Sequence, residues 1–170
     1  RKIIAENRLG KIYFTNSNFG EDITKLHQWD DFLARYEVNA SMGGGALLTS
    51  IHELDTCIRL FGPARRADIR RRNLALNIDC EDFVSIQLDH KSGVFSTVEL
   101  DFISPVYSRS LTVVGELGRF HWDFKRENII IEYRDRIEDE SAKVSGFDFN
   151  QTYLSMIEYF MQKRKNKVKS

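Results

Sequence analysis

Residues 43–62 read Gly43-Gly44-Gly45-Ala46-Leu47-Leu48-Thr49-Ser50-Ile51-His52-Glu53-Leu54-Asp55-Thr56-Cys57-Ile58-Arg59-Leu60-Phe61-Gly62, and Pro63 follows. At about 100° per residue, Ile51, Leu54, Ile58 and Phe61 fall within about 40° of Leu47, which predicts an amphipathic helix over Gly45–Phe61. Three glycines before it supply a turn with positive φ or a close backbone approach. Gly62 and Pro63 after it supply a stop, a left-handed cap followed by a residue that refuses continuation. His52 lies roughly 140° from Leu47 on this wheel, off the apolar stripe. Thr49, Asp55 and Arg59 share its flank. A carboxylate beside an imidazole orients one tautomer and suits a general acid or base. The same spacing also suits a surface histidine beside a surface aspartate.

Outward from that helix the pattern changes to period two. Lys11–Asn18 reads as a first strand around Ile12 and Phe14, and Lys25–Tyr36 as a short helix or helical loop. After Pro63, Ala67–Arg71, a strand through Val84, Ile86 and Leu88, and a strand through Val94, Val98 and Leu100 follow. Gly93 sits in the loop between the last two. Leu111–Val114 and Phe120–Phe124 form a second hairpin across Gly115–Gly118, Asn128–Tyr133 adds a strand, and Asn150 is the expected N-cap of a closing helix. Hairpins with few helices predict an α+β fold, an open-faced, mostly antiparallel sheet with helices on one face. The basic residues Lys163–Lys169 suit the C-terminus of the closing helix.

Composition narrows the function. The 170 residues carry 25 basic and 25 acidic side chains, and 42% of them are hydrophobic. This is the profile of one globular domain, residues 1–170, and the zero net charge argues against nucleic acid as partner. No apolar run reaches the roughly 20 residues of a membrane helix. Cys57 and Cys80 belong to no CxxC pair and read as small buried hydrophobes, which suits a reducing cytoplasm. His27, His52, His90 and His121 have no metal-ligand spacing, so no metal site is expected. Gly43–Gly45 follows a polar segment and lacks the strand context of a dinucleotide site. Trp29 and Tyr36 suit either packing or ligand contact, and Arg109 suits a substrate hydroxyl, a carboxylate or a solvated loop.

The Gly43–Asp55 stretch, with Leu60-Phe61-Gly62, resembles the C-terminal domain signature of the Gfo/Idh/MocA family of NAD(P)-dependent sugar oxidoreductases. Leu9-Gly10-Lys11-Ile12 resembles the family's opening strand, and Trp29-Asp30-Asp31-Phe32 with Tyr36 its aromatic segment. Val113–Gly118 with Trp122-Asp123 resembles its late hairpin, and Phe149–Phe160 its closing helix. The resemblance implies a glyceraldehyde-3-phosphate-dehydrogenase-like C-terminal domain. It also implies an N-terminal Rossmann domain, absent from this chain, that binds NAD or NADP and supplies a lysine. The start at Arg1-Lys2-Ile3-Ile4, without Met, agrees with a piece of a longer enzyme. The family's site histidine maps onto His52, with Thr49, Tyr36, Trp29, Arg109 and Asp55 as substrate contacts. Many members carry Asp four residues before that histidine. Here Leu48 stands there and Thr49 follows, as in a branch with Thr three before. The resemblance further implies a sugar-like substrate, a homo-oligomer through the open sheet face, and an isolated chain that is inactive. The rival expectation is a non-catalytic oligomerisation or binding module on the same fold.

Overall fold

The computed structural model describes residues 2–26, 29, 31–141 and 148–167. His27, Asp30 and the basic tail beyond 167 lie outside the described residues. Eight strands form one sheet: β1 (Ile12–Asp22), β2 (Ala64–Arg72), β3 (Phe83–His90), β4 (Phe95–Asp101), β5 (Ile103–Gly115), β6 (Gly118–Asp123), β7 (Asn128–Tyr133) and β8 (Ile137–Asp139). Their spatial order is β2-β3-β4-β1-β5-β6-β7-β8. Every neighbouring pair is antiparallel except β1 with β4, where Phe14 lies opposite Phe95 and Ser17 opposite Val98. The α+β expectation holds, with one parallel pair at the centre.

Alternation along the strands sorts the side chains onto two faces. One face carries Val84, Ile86 and Leu88 of β3, Val98 and Leu100 of β4, Leu111 and Val113 of β5 and Ile131 of β7, all buried. Two helices in sequence pack on this face, α2 (Ala46–Thr49) and α3 (His52–Phe61), while α1 (Lys2–Ala5) adds Ile3 and Ile4 at its margin. Short 3-10 turns at Phe32–Ala34, Tyr36–Val38 and Ala40–Met42 lead into the glycines.

The predicted single helix is two. The run Thr49-Ser50-Ile51, with two β-branched residues and a serine, has low helix propensity. Ser50 leaves helical geometry at φ −110° and ψ 33°. The break turns the second segment, so the buried residues are Ala46, Leu47, Ser50, Glu53, Cys57 and Phe61. Ile51 and Ile58, expected to pack on the sheet, are each 40% exposed. The apolar stripe of the sequence is therefore only partly the packed one.

The glycine run has a local cause. Gly45, at φ 108°, donates to the Glu37 carbonyl at 2.8 Å, and a Cβ there would stand 2.6 Å from a Glu81 carboxylate oxygen. A Cβ on Gly44 would meet the backbone of Tyr36, Glu37 and Asn39. The chain thus threads a gap only glycine fits. Glu81 caps α2, its carbonyl accepting from Ala46 N–H at 3.0 Å and its carboxylate from Leu47 N–H at 3.2 Å. The closing helix, α4 (Phe149–Lys167), begins one residue before the expected cap. Asp148, not Asn150, serves there, accepting from Asn150 N–H at 2.8 Å. The side chains described on α4 are all exposed.

Candidate active site

His52 opens α3 and is exposed to solvent. Its carbonyl accepts from Thr56 Oγ1 at 2.8 Å, an i to i+4 bond that leaves the ring uninvolved. Asp55, expected beside it, pairs instead with Arg59 at 3.2 Å, and both side chains are more than half exposed. The reason is angular. Asp55 and Arg59 stand four residues apart on the outer side of the helix, where such pairs meet. No carboxylate among the described residues is hydrogen-bonded to the His52 ring. A two-residue His–Asp acid/base unit is therefore not assembled here.

The inner side of the same turn is different. Glu53 is buried, and its Oε1 accepts from Arg109 Nε at 2.6 Å. Arg109 rises from β5 opposite Phe19 of β1. Its guanidinium lies 5.9 Å from the Phe19 ring centre and 5.6 Å from that of Phe124. Tyr107 meets Phe19 edge-on at 5.7 Å, and Trp122 meets Phe124 at 5.8 Å. Aromatic walls of this kind favour a cation and exclude water from its ion pair. Burial pushes the Tyr107 phenol above its ordinary value, while the Arg109 charge pulls the other way. Burial likewise raises the Glu21 carboxyl, with Arg35 opposing and Glu37 and Asp101 adding to the rise.

Two polar atoms at this turn are shielded and have no hydrogen-bond partner, Thr49 Oγ1 and Glu53 Oε2. Thus Thr49, Glu53 and Arg109 stand on the sheet side of the α2–α3 break, with His52 on its outer edge. Tyr36 and Trp29 are exposed, in the turns before the glycines. Sequence reasoning missed Glu53. The signal available was a charged residue at the packed helical position of the 46, 50, 53, 57, 61 series, which demands a buried partner.

Elsewhere, His90 is structural. Its Nδ1 donates to the Gly62 carbonyl at 2.7 Å and Nε2 accepts from Ser96 Oγ at 2.8 Å. A depression of about 360 Å³ lies on the opposite sheet face, lined by Thr112, Arg119, His121, Asp123, Asn128 and Glu132 among others. Among the described residues no cluster of His, Cys, Asp or Glu is placed to hold a metal ion. No helix among them is long and apolar enough to cross a membrane.

The GFO/IDH/MocA C-terminal domain family matches residues 1–121, which contain α1 through most of β6 and every candidate residue above. The chain belongs to that family. Solved structures share the GFO/IDH/MocA fold at low identity. An inositol dehydrogenase homolog from Azotobacter vinelandii, complexed with NAD+, superposes with TM-score 0.70 at 14% identity, covering 87% of this chain and 40% of that one. The WlbA dehydrogenase from Bordetella pertussis, in complex with NADH and UDP-GlcNAcA, gives 0.63 at 24%, covering 81% and 40%. Levoglucosan dehydrogenase with NADH and L-sorbose gives 0.67 at 16%, covering 82% and 41%. This chain therefore spans about two fifths of the length of those neighbours. No curated protein matches it.

The start of α2, which follows the glycine run, does not fit a nicotinamide dinucleotide's pyrophosphate. Phosphate binding at a helix start needs free N–H groups and no competing anion. At α2 the Glu81 carbonyl and carboxylate already take the Ala46 and Leu47 N–H groups.

Proposed function

We propose that this chain is the substrate-facing domain of an NAD(P)-dependent oxidoreductase that interconverts a secondary alcohol and ketone on a sugar, cyclitol or related polyol. The chemistry of the nicotinamide belongs to a part of the enzyme outside this chain. The chain contributes binding, orientation and the proton. His52 exchanges a proton with the reacting oxygen or holds it by a hydrogen bond. Thr49 and Arg109 contact substrate hydroxyls, Tyr36 and Trp29 border the substrate from the turns before the glycines, and Asp55 acts through Arg59 on the outer flank. The observation that carries this reading is the placement of an exposed imidazole at the head of α3, next to the buried Glu53, whose Oε1 accepts from Arg109 Nε. Neighbouring structures hold NAD+ or NADH and sugar-like ligands such as UDP-GlcNAcA and L-sorbose, which agrees with it.

The test is a pH–rate profile of the full-length enzyme. His52→Ala is expected to lower turnover by a factor on the order of 10²–10⁴, the range for loss of a positioned acid or base. His52→Asn keeps a hydrogen-bonding group and is expected to retain binding while its pH–rate profile flattens relative to wild type. Turnover of His52→Ala within about threefold of wild type removes His52 from the chemistry. Isolated, the chain is expected to bind neither NAD(H) nor NADP(H), checked by calorimetry, and to be inactive. The polar open sheet face is the proposed surface for homo-oligomers, and the cytoplasm the proposed location.

One observation favours a second reading, a non-catalytic ligand-binding or oligomerisation module. Asp55 is turned to Arg59 and leaves His52 without an orienting carboxylate. A wild-type enzyme that binds polyols with no turnover would select it.

A further inference from the structure

β2 closes one edge of the sheet, so half of its backbone N–H and C=O groups face away from β3. Its nine residues, Ala64-Arg65-Arg66-Ala67-Asp68-Ile69-Arg70-Arg71-Arg72, hold five arginines and a single carboxylate. Every side chain from Arg65 to Arg72 is exposed. Among the described residues that charge is almost unanswered. Arg70 stands 4.0 Å from Asp68, Arg72 Nη1 donates to the Arg71 carbonyl at 2.8 Å, and Arg65, Arg66 and Arg71 form no ion pair. The register with β3 sorts these side chains by face. Asp68 lies opposite Gln87, Arg70 opposite Ser85 and Arg72 opposite Phe83, on the open side, where Arg66 stands opposite Asp89. Ala67 and Ile69 lie opposite the core residues Leu88 and Ile86, yet Ile69 is 44% exposed.

We propose that β2 is a docking edge for an acidic, extended segment of a partner protein, added to the sheet as one further strand. Its carboxylates stand beside Arg66, Arg70 and Arg72, and its alternate apolar side chains lie over Ala67 and Ile69. Main-chain bonds along the edge supply affinity, and the alternation of side chains supplies specificity. Opposite charges facing each other across paired strands favour the pairing, and like charges oppose it. That rule excludes a second copy of this chain. Two β2 edges related by a twofold axis would bring Arg65 and Arg66 of one beside Arg70, Arg71 and Arg72 of the other. The far edge of the sheet, β8, is acidic but only three residues long, and its carboxylates are already taken. Arg8 pairs with Glu138 and with the adjoining Glu140, and Asp139 accepts from Ser141 N–H at 2.8 Å. Nucleic acid fits the edge less well than peptide does. Phosphate oxygens only accept, so they leave the outward carbonyls of β2 without donors, whereas an extended peptide brings both N–H and C=O at strand spacing.

The experiment follows the fluorescence anisotropy of a labelled peptide that alternates Glu and Val and is as long as β2, titrated with the full-length protein at low ionic strength. Saturable binding at micromolar protein is expected, and no binding at hundreds of micromolar overturns the proposal. The same peptide with each Val replaced by Pro keeps the charge but cannot complete a ladder, and is expected to bind at least tenfold more weakly. Equal binding of the two peptides reduces β2 to a charged patch and overturns the docked strand. Arg66→Glu combined with Arg70→Glu reverses two exposed charges and is expected to weaken the Glu–Val peptide at least tenfold. Lys125→Glu, exposed between β6 and β7, is expected to leave affinity within about twofold. Equal losses from the two changes mark a general field effect and count against β2. Circular dichroism checks the fold of the double variant. Should it not fold, Arg70→Ala decides the matter, with a several-fold loss expected and unchanged affinity counting against the edge. A single-stranded oligothymidylate of the same negative charge that binds as tightly as the Glu–Val peptide assigns the arginines to nucleic acid and overturns the proposal.

Discussion

The two faces of the sheet are made from the same strands and differ in almost everything else. Toward the helices, Val84, Ile86, Val98, Leu100 and Val113 are buried with essentially no exposed surface. On the other side, their sequence neighbours Ser85, Gln87, Thr97, Glu99 and Thr112 are polar. That polar side closes on itself. Asn18 Nδ2 donates to Ser108 Oγ at 3.0 Å, Ser110 Oγ donates to Asn18 Oδ1, and Thr112 Oγ1 meets His121 Nδ1 at 3.0 Å. Arg119 pairs with Glu132 across β6 and β7. A face on which no helix among the described residues packs thus holds its strands by cross-strand polar pairs. Stability lives on one face, and the other is left available to a polar, wet contact.

The sharpest way to break this contrast is one substitution on each side. Ile86→Ala removes a fully buried side chain and is expected to cost about 2–5 kcal/mol, read from urea unfolding. Cys57 faces the core from α3, where burial pushes its thiol up to about 11 from 9.0. An acid with a raised folded value stabilises fully below the unfolded value and loses that contribution as pH rises through the folded one. The stability gap between wild type and Cys57→Ala is therefore expected to narrow between about pH 9 and 11, by roughly 2 kcal/mol at most. Thiol labelling at pH 8 is expected to reach Cys57 only on unfolding.

Ser96→Ala, also on the helix side, leaves His90 Nε2 without its donor and is expected to cost about 1–3 kcal/mol. Thr97→Ala, one residue on and on the opposite face, is expected to stay within about 0.5 kcal/mol. Equal costs at positions 96 and 97 would remove the distinction between the faces. Thr112→Arg is expected to leave folding within the same margin while abolishing self-association in sedimentation at tens of micromolar. A stable contact here buries more than about 1,000 Å² in total.

Period-two runs were legible where a strand has one apolar side, as in β3, β4 and β7. β2, by contrast, is exposed along nearly all its length, and β5 begins at Ile103, well before the expected Leu111, so that Arg109, which suited a loop, stands on a strand. β8 is three residues long and too short to show a period. The parallel pairing of β1 with β4 was not legible, since nothing in Ile12–Asp22 names its neighbours. Helix phase failed for a local reason. The wheel assumes one unbroken helix, and the Ser50 break shifts it, bringing Glu53 inward and turning Ile51 and Ile58 out. That shift also hid half of the candidate site. His52 and Thr49 were found from spacing and resemblance, whereas the Glu53–Arg109 pair joins residues 56 apart and needs the fold to be seen.

The position of β1 also has a consequence for how the molecule comes into being. Within this domain the strand made first is a central one, flanked by β4 and β5, and its Thr15 hydroxyl reaches a carbonyl 97 residues later. During synthesis this alternating segment therefore waits with one edge unpaired until the chain through Asp101 has emerged, and with the other unpaired until the chain through Gly115 has. Such distant pairings place folding in the millisecond-to-second range and leave the nascent strand open to mispairing in the meantime. Newly made chain, more than the finished domain, is where a chaperone would find something to hold.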